Sequence, residues 1–353
     1  MKKLIALAAL ALGSNPFVFA DDLYLFNWND YIAADTVAAF EKECKCKVVQ
    51  DYFSSTEEMM AKLLAGASGY DIVIPTQNGV EALSKKGSLS KLDKSKLSNI
   101  GNAGKAFMDK DYDKGNQYSV PYAFTTTLIG YNETKLKQLA IDPADWAVIF
   151  DPKVLSKIKG KVTVMDDSEE LFAAAMKYLG YSVNDRDEKH IKEAQQVIMT
   201  AKPFWAAFNS SSYIKELTLG NIWVAHGYSS DMFQARADAR EAKRNFVVNF
   251  ALPKQGAVLA LDNMVIPNDA KHKTLAHQFI NFMLRPENAA ALTNELGTGN
   301  PNAAALPFIK ADIKELKAIF PPEDVQAKLE TLTAKDAKTR RIYSKAWTEI
   351  KLN

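Results

Sequence analysis

LYLFNWNDYIAADTVAAFEKECKCKVVQDYFSSTEEMMAKLLAGASGYDIVIP, residues 23–75, holds three short runs rich in aromatic and β-branched residues, at 23–27, 47–53 and 71–75. Two stretches with helical spacing of apolar residues, 36–44 and 56–64, lie between them. Parallel strands need a crossover of a dozen or more residues, so this alternation predicts a β-α-β-α-β unit on a parallel sheet. Ser55, with Glu58 three residues later, offers a capping box for the second helix.

The same alternation restarts further on. A strand is predicted at 160–165, helices at 169–179 and 189–200, a strand at 221–225 and a helix at 231–243. Between the two units, YSVPY (118–122) leads into a Thr-rich extended run at 127–132 that is placed to cross from one to the other. Two later extended runs, 246–253 and 258–267, are placed to carry the chain back. From about Thr274 the pattern is helical, broken at Arg285-Pro286, at 297–301 and at Pro321-Pro322. A length of 353 residues accommodates two domains, each with its own core. The fold class expected is therefore α/β and two-lobed, with the lobes at 21–126 plus 261–306 and at 127–260 plus 307–353, joined by crossed extended segments.

Composition narrows the function classes. Apolar and charged fractions of 47% and 24% suit a globular chain, and a formal net charge of +2 without clustered basic residues gives no nucleic-acid footprint. Lys2 and Lys3 precede an apolar run at 4–12, and Val18-Phe19-Ala20 supplies small residues around a cleavage point, so residues 1–20 read as a secretory signal peptide. The run is too short for a membrane helix. With no Cys at the cleavage point to take a lipid, a mature chain free in the periplasm and starting near Asp21 is expected.

Cys44 and Cys46 are one residue apart, where a bridge is expected to be strained; a structural or incidental role is the main reading. His190, His226, His272 and His277 show no metal-ligand spacing, so neither metal nor cofactor is expected. The segment 227–231 fails the G-x-S-x-G pattern at its last position, Gly297-Thr298-Gly299 lacks the third glycine of a dinucleotide fingerprint, and no P-loop occurs. The pair Asp166 and Asp167, with Glu170, is the one weak pointer to acid–base chemistry. A binding protein fits better than an enzyme.

α/β sheets place ligands beyond the carboxyl ends of their strands. Four such ends carry acids or aromatics: Trp28-Asn29-Asp30-Tyr31, residues 166–170, Tyr228 to Asp231, and Asp262. An ammonium group leaves water only if carboxylates replace its hydration, and aromatic faces add cation–π attraction and cover methylene groups. Carboxylates at both ends of a cleft with rings between suit a linear diamine. Each cluster also has a structural alternative. Asp167, Ser168, Glu169, Ser230 and Asp231 stand where helices start and acids serve as caps; Trp28 and Tyr31 could close a sheet edge. Asp262 interrupts an apolar run, where an acid is either a surface position or a buried group needing a partner. His226 reads as structural.

LFNWNDY (25–31) resembles the opening strand of bacterial spermidine/putrescine-binding proteins, the periplasmic components of polyamine ABC importers. The likeness recurs at YDIVIP (70–75), YSVPY (118–122), AFNS (207–210), LDNMVIP (261–267) and INFMLRP (280–286), and 339–347 is most similar to the putrescine-preferring branch. The resemblance implies a type II two-lobed periplasmic binding fold that closes on its ligand. It implies contacts from Trp28, Asn29, Asp30 and Tyr31 on one lobe and Glu170, Tyr228 and Asp231 on the other. Asp262 matches the amine-binding aspartate, Thr76 a small hydroxyl position and Ser210 a polar contact. Implied partners are a polyamine and an inner-membrane permease, and the chain is expected to be a monomer. Asn78, Ala260 and Thr298 stand where the family usually has aromatic residues, which leaves another small cationic or polar solute, such as an amino-acid derivative, as the alternative cargo.

Overall fold

Strand β1 (Leu23–Trp28) pairs in parallel with β2 (Val48–Phe53) on one side and β3 (Ile72–Val73) on the other. The helices Ala34–Cys44 and Thr56–Leu64 make the crossovers. The structure is a computed structural model and describes residues 22–29, 31–53, 56–65 and 69–352. The signal-peptide segment and the capping residue Ser55 lie outside them. The middle of β1 is buried on both faces, as parallel strands are, while Tyr24 near its start is exposed. Leu23 and Leu25 meet Phe40 and Phe279 on one side, while Phe26 meets Phe53, Met59 and Val80 on the other.

The second unit follows the same plan. β5 (Val162–Val164) pairs in parallel with β6 (Ala207–Phe208) and β7 (Val224–Tyr228). The helices Ser168–Leu179, Glu188–Ala201, Tyr213–Leu219 and Ser229–Glu241 pack around them. β7 starts three residues later than its predicted position because the preceding helix uses those residues to end. Gly220 takes a left-handed conformation, and the amides of Asn221 and Ile222 turn back to the Glu216 carbonyl. The shift puts His226 inside the strand and Tyr228 at its end.

β4 (Ser119–Asn132) belongs to both units. Its first half pairs antiparallel with β9 (Leu259–Val265), from Ser119 opposite Val265 to Thr126 opposite Leu259, and its second half pairs with β7 and with β8 (Val248–Ala251). β9 also meets β3, so one continuous order results: β2-β1-β3-β9-β4-β7-β5-β6, with β8 on β4. β4 and β9 are thus the connecting segments. The run at 246–253 is not a crossing: as β8 it stays beside residues 129–132 of β4.

The largest apolar cluster joins Leu128, Trp146, Phe150, Phe172, Ile198 and Tyr343 around the second unit, and Ala290 and Ala305 also belong to it. The C-terminal helix Ala337–Leu352 contributes Tyr343, against Phe172, and Ile350. Cys44 and Cys46 form a disulfide, which gives the pair a structural role. Lys45 between them adopts a left-handed conformation (φ 56°, ψ 38°), which ends the first helix and brings their Cα atoms to 5.2 Å, within the ordinary range for a bridge. Among the described residues no helix is long and apolar enough to cross a membrane.

Candidate functional site

Successive side chains of a strand point to opposite faces. On the β9 side of the crossing this sends Val258, Ala260 and Asp262 to one face, with Thr125 of β4 opposite Ala260, and all four line a cleft of about 610 Å³ between the two units. The register slips between Pro121 and Ala123, leaving Tyr122 as an extra residue beside Asp262.

Asp262 is 5% exposed, so its surface reading falls. Its Oδ2 accepts the Tyr31 hydroxyl at 2.9 Å. Tyr31 is itself held in place: its carbonyl accepts from the buried Asn27 Nδ2 at 3.0 Å and from the Tyr122 hydroxyl at 2.7 Å. Trp28 packs against Phe53 with ring centroids 4.5 Å apart and the planes tilted by 57°, and it also lines the cleft; among the described residues no acceptor lies within full hydrogen-bond geometry of its indole N–H. Desolvation pushes the Asp262 carboxyl up to about 7, with Tyr31 and Trp28 pulling the other way. The same burial, with the adjacent carboxylate, raises Tyr31 well above its ordinary value.

Thr76 and Gln77 sit where the chain leaves β3 and starts the helix Gln77–Lys85. Thr76 makes no side-chain cap bond and lines the cleft, while Gln77 Oε1 accepts the Leu261 amide at 2.9 Å and ties that helix to β9.

The opposite wall comes from the second unit. Tyr228 ends β7, and Asp231 lies in the first turn of the following helix. Asp231 is not a cap there: it accepts from the Tyr213 and Ser230 hydroxyls, and burial raises its carboxyl. Desolvation also lifts the Tyr228 phenol, with the Glu170 charge adding to it. Asp167 does cap its helix, taking the amides of Glu169 and Glu170 at 2.8 and 3.0 Å, yet it still faces the cleft. Glu170 is 7% exposed and accepts the Thr127 hydroxyl at 2.6 Å. Burial pushes it up to about 7; Thr127 and Lys335 oppose the shift, while Asp167 and Glu169 add to it.

The structure thus brings together Trp28, Tyr31, Thr76, Glu170, Tyr228, Asp231 and Asp262. Three further residues were expected at the site. Asp30 lies outside the described residues. Asn29 is exposed in the turn after β1 and is not among the lining residues. Ser210 is not either, because its hydroxyl accepts the Asp166 amide at 2.8 Å. Asp166 pairs with Lys351 at 2.7 Å, which separates it from Asp167. Of the three usually aromatic positions, Asn78 and Ala260 line the cleft, but Thr298 is fully buried away from it. His226 is buried edge-on to Trp146, and desolvation lowers it to about 3, as a structural neutral histidine.

Sequence reasoning missed Thr56, Gln77, Thr125, Val258 and Leu332 as lining residues. Gln77 follows Thr76 at the same strand-to-helix switch, and Val258 shares the period of Ala260 and Asp262, so both had a local signal. Leu332 had none. Among the described residues no cluster of acids, histidines or cysteines is arranged to hold a metal.

Residues 35–321 match the model of the bacterial extracellular solute-binding proteins. A putrescine/cadaverine-binding protein of Pseudomonas aeruginosa is 65% identical over 352 residues, covering 100% of this chain and 99% of that protein. The putrescine-binding periplasmic protein PotF of Escherichia coli (strain K12) is 40% identical over 336 residues, 93% of this chain and 91% of its own. The solved spermidine/putrescine ABC transporter substrate-binding protein PotD of Streptococcus pneumoniae matches with a TM-score of 0.87 at 28% identity, over 94% of this chain and 99% of that one. Sheet order, the cleft at the strand ends and these near-full-length similarities place the chain in one family: it belongs to the bacterial extracellular solute-binding proteins.

Proposed function

We propose that the protein captures a linear diamine, putrescine or its five-carbon homologue, in the periplasm and delivers it to an inner-membrane ABC permease. The observation that carries this reading is Asp262: a buried carboxyl that accepts the Tyr31 hydroxyl, with the Trp28 indole nearby, and that has no lysine or arginine partner among the described residues. A buried acid in that condition lacks a cation, and an ammonium supplies charge and donors together. Asp231 and Glu170 on the opposite wall accept the second ammonium. Trp28, Tyr31 and Tyr228 cover the methylene groups, each ring adding roughly 0.5–2 kcal/mol. Asp30 and Asn29, beside this wall in sequence, belong to the same proposal, as does the ligand class named for the relatives.

Residues 21–126 with 261–306 and 127–260 with 307–353 are the two bodies that close on the ligand through β4 and β9, as a monomer, after export and cleavage near Ala20. Delivery rather than turnover is the reading supported by the relatives, which are binding proteins. Titration calorimetry with putrescine, cadaverine, agmatine and spermidine tests the assignment: micromolar or tighter binding of a diamine is expected, and no heat with any of them would overturn it. Ala260 and Asn78 leave open wall where rings are common, which favours a bulkier polar cation as the second reading. A thermal-shift panel of amino acids and their amine derivatives separates the two.

A further inference from the structure

Glu169, on the cleft side of the helix Ser168–Leu179, already has a cation. Lys335 Nζ donates to its Oε1 at 3.0 Å, with the lysine side chain only 5% exposed. The ammonium also stands 4.8 Å from the Tyr343 ring centroid, a cation–π contact. The segment that carries Lys335 is firmly held. Glu330 pairs with Lys177 and Ser182, and its backbone bonds Ala257 and Leu259 beside β9. Asn184 bonds Thr331 and Thr333, and Arg186 reaches Ala334. Leu332 of the same segment lines the cleft, so this ammonium is fixed directly behind the Glu169 part of the wall rather than a wandering surface charge.

Asp167, Glu170, Asp231 and Asp262, the other carboxylates that line the cleft, have no lysine or arginine ion-pair partner among the described residues. We propose that Lys335 is a resident ammonium that sets the amine count of the cleft: by satisfying Glu169 it favours diamines over triamines. The third ammonium of a spermidine-class ligand meets a carboxylate that is already paired and a like charge behind it. This inference rests on the polyamine reading above.

The test is calorimetric affinity for putrescine and spermidine on the full mature chain, unmodified and as Lys335→Gln and Lys335→Arg. The Gln variant is expected to shift the affinity ratio toward spermidine roughly tenfold, the scale of one unit charge a few ångströms away in a partly screened site. Lys335→Arg should keep the original ratio. A ratio unchanged within about twofold, or an equal loss for both amines, would overturn the proposal. If Lys335→Gln does not fold, Glu169→Gln serves instead: it leaves Lys335 uncompensated and should weaken spermidine severalfold more than putrescine, and equal weakening again overturns it. Absence of heat with either amine in the unmodified protein would sink the polyamine reading itself, a result distinct from binding with an unmoved ratio.

Discussion

Two buried carboxyls face each other across the cleft, and they are buried by different means. Asp262 stands in the middle of a strand shared by both lobes, with a tyrosine hydroxyl from 231 residues away as its donor. Glu170 stands in a helix first turn, with a threonine hydroxyl from β4 as its donor and with Asp167, Glu169 and Lys335 around it. Both are lifted to about 7 by desolvation. The first is an isolated acid and the second a member of a charged group, so loss of the first leaves nothing to take its place. In the proposed binding mode the difference would make the β9 end the anchor and the helix end the adjustable one.

Asp262→Asn should break that asymmetry most. Diamine affinity is expected to fall by more than about a hundredfold, the usual result of removing one partner of a buried ion pair, as read by calorimetry. The ligand-free variant should be more stable than the parent above pH 7, by about 1–3 kcal/mol. The sign follows from the raised carboxyl: the folded state holds a proton that the unfolded state has released, so stability falls as pH rises from about 4 to 7. Asn does not titrate and escapes that loss. A thermal melt at pH 8 that is lower in the variant would contradict it.

Ligand binding should run the other way with pH. A diammonium ligand requires both carboxyls ionised, so binding releases protons near pH 7, and affinity drops by about tenfold per carboxyl between pH 8 and pH 6. Calorimetry in two buffers of different ionisation enthalpy measures the released protons directly. Glu170→Gln should cost roughly tenfold, less than Asp262→Asn because Asp167 and Asp231 remain, and should halve the pH slope. Tyr31→Phe should weaken binding only severalfold. It should also move the pH midpoint upward, because it removes the main hydrogen bond that keeps the Asp262 carboxyl from rising further. The smallest effect is expected at the disulfide. Closing so short a loop is worth about 1.5 kcal/mol or less. Cys44→Ser with Cys46→Ser should therefore lower the melting temperature slightly and leave the diamine affinity unchanged.

Much of this molecule was legible beforehand. The alternation at 23–75 led to β1, β2 and β3 with both helices, a strand-end rule picked out Trp28, Tyr31, Tyr228, Asp231 and Asp262, and the family resemblance added Thr76; all six line the cleft. Hydrophobic period and strand-to-helix switches are local, and local signals survive in a single chain. Positions set by long-range partners did not. Ser210 looked like a contact until its hydroxyl was engaged by the Asp166 amide, and 246–253 looked like a crossing until β8 found the far half of β4.

The amino-acid order alone determined the two α/β units, the β4 and β9 connections and the acidic, aromatic character of the strand ends, because each is written in neighbours within a few residues. Only the tertiary structure decided which acids are desolvated, that Lys45 bends far enough for Cys44 to reach Cys46, and that Lys335, from the C-terminal segment, lies behind Glu169. Burial and charge pairing depend on what other segments bring to the same place, and no window of the chain contains that.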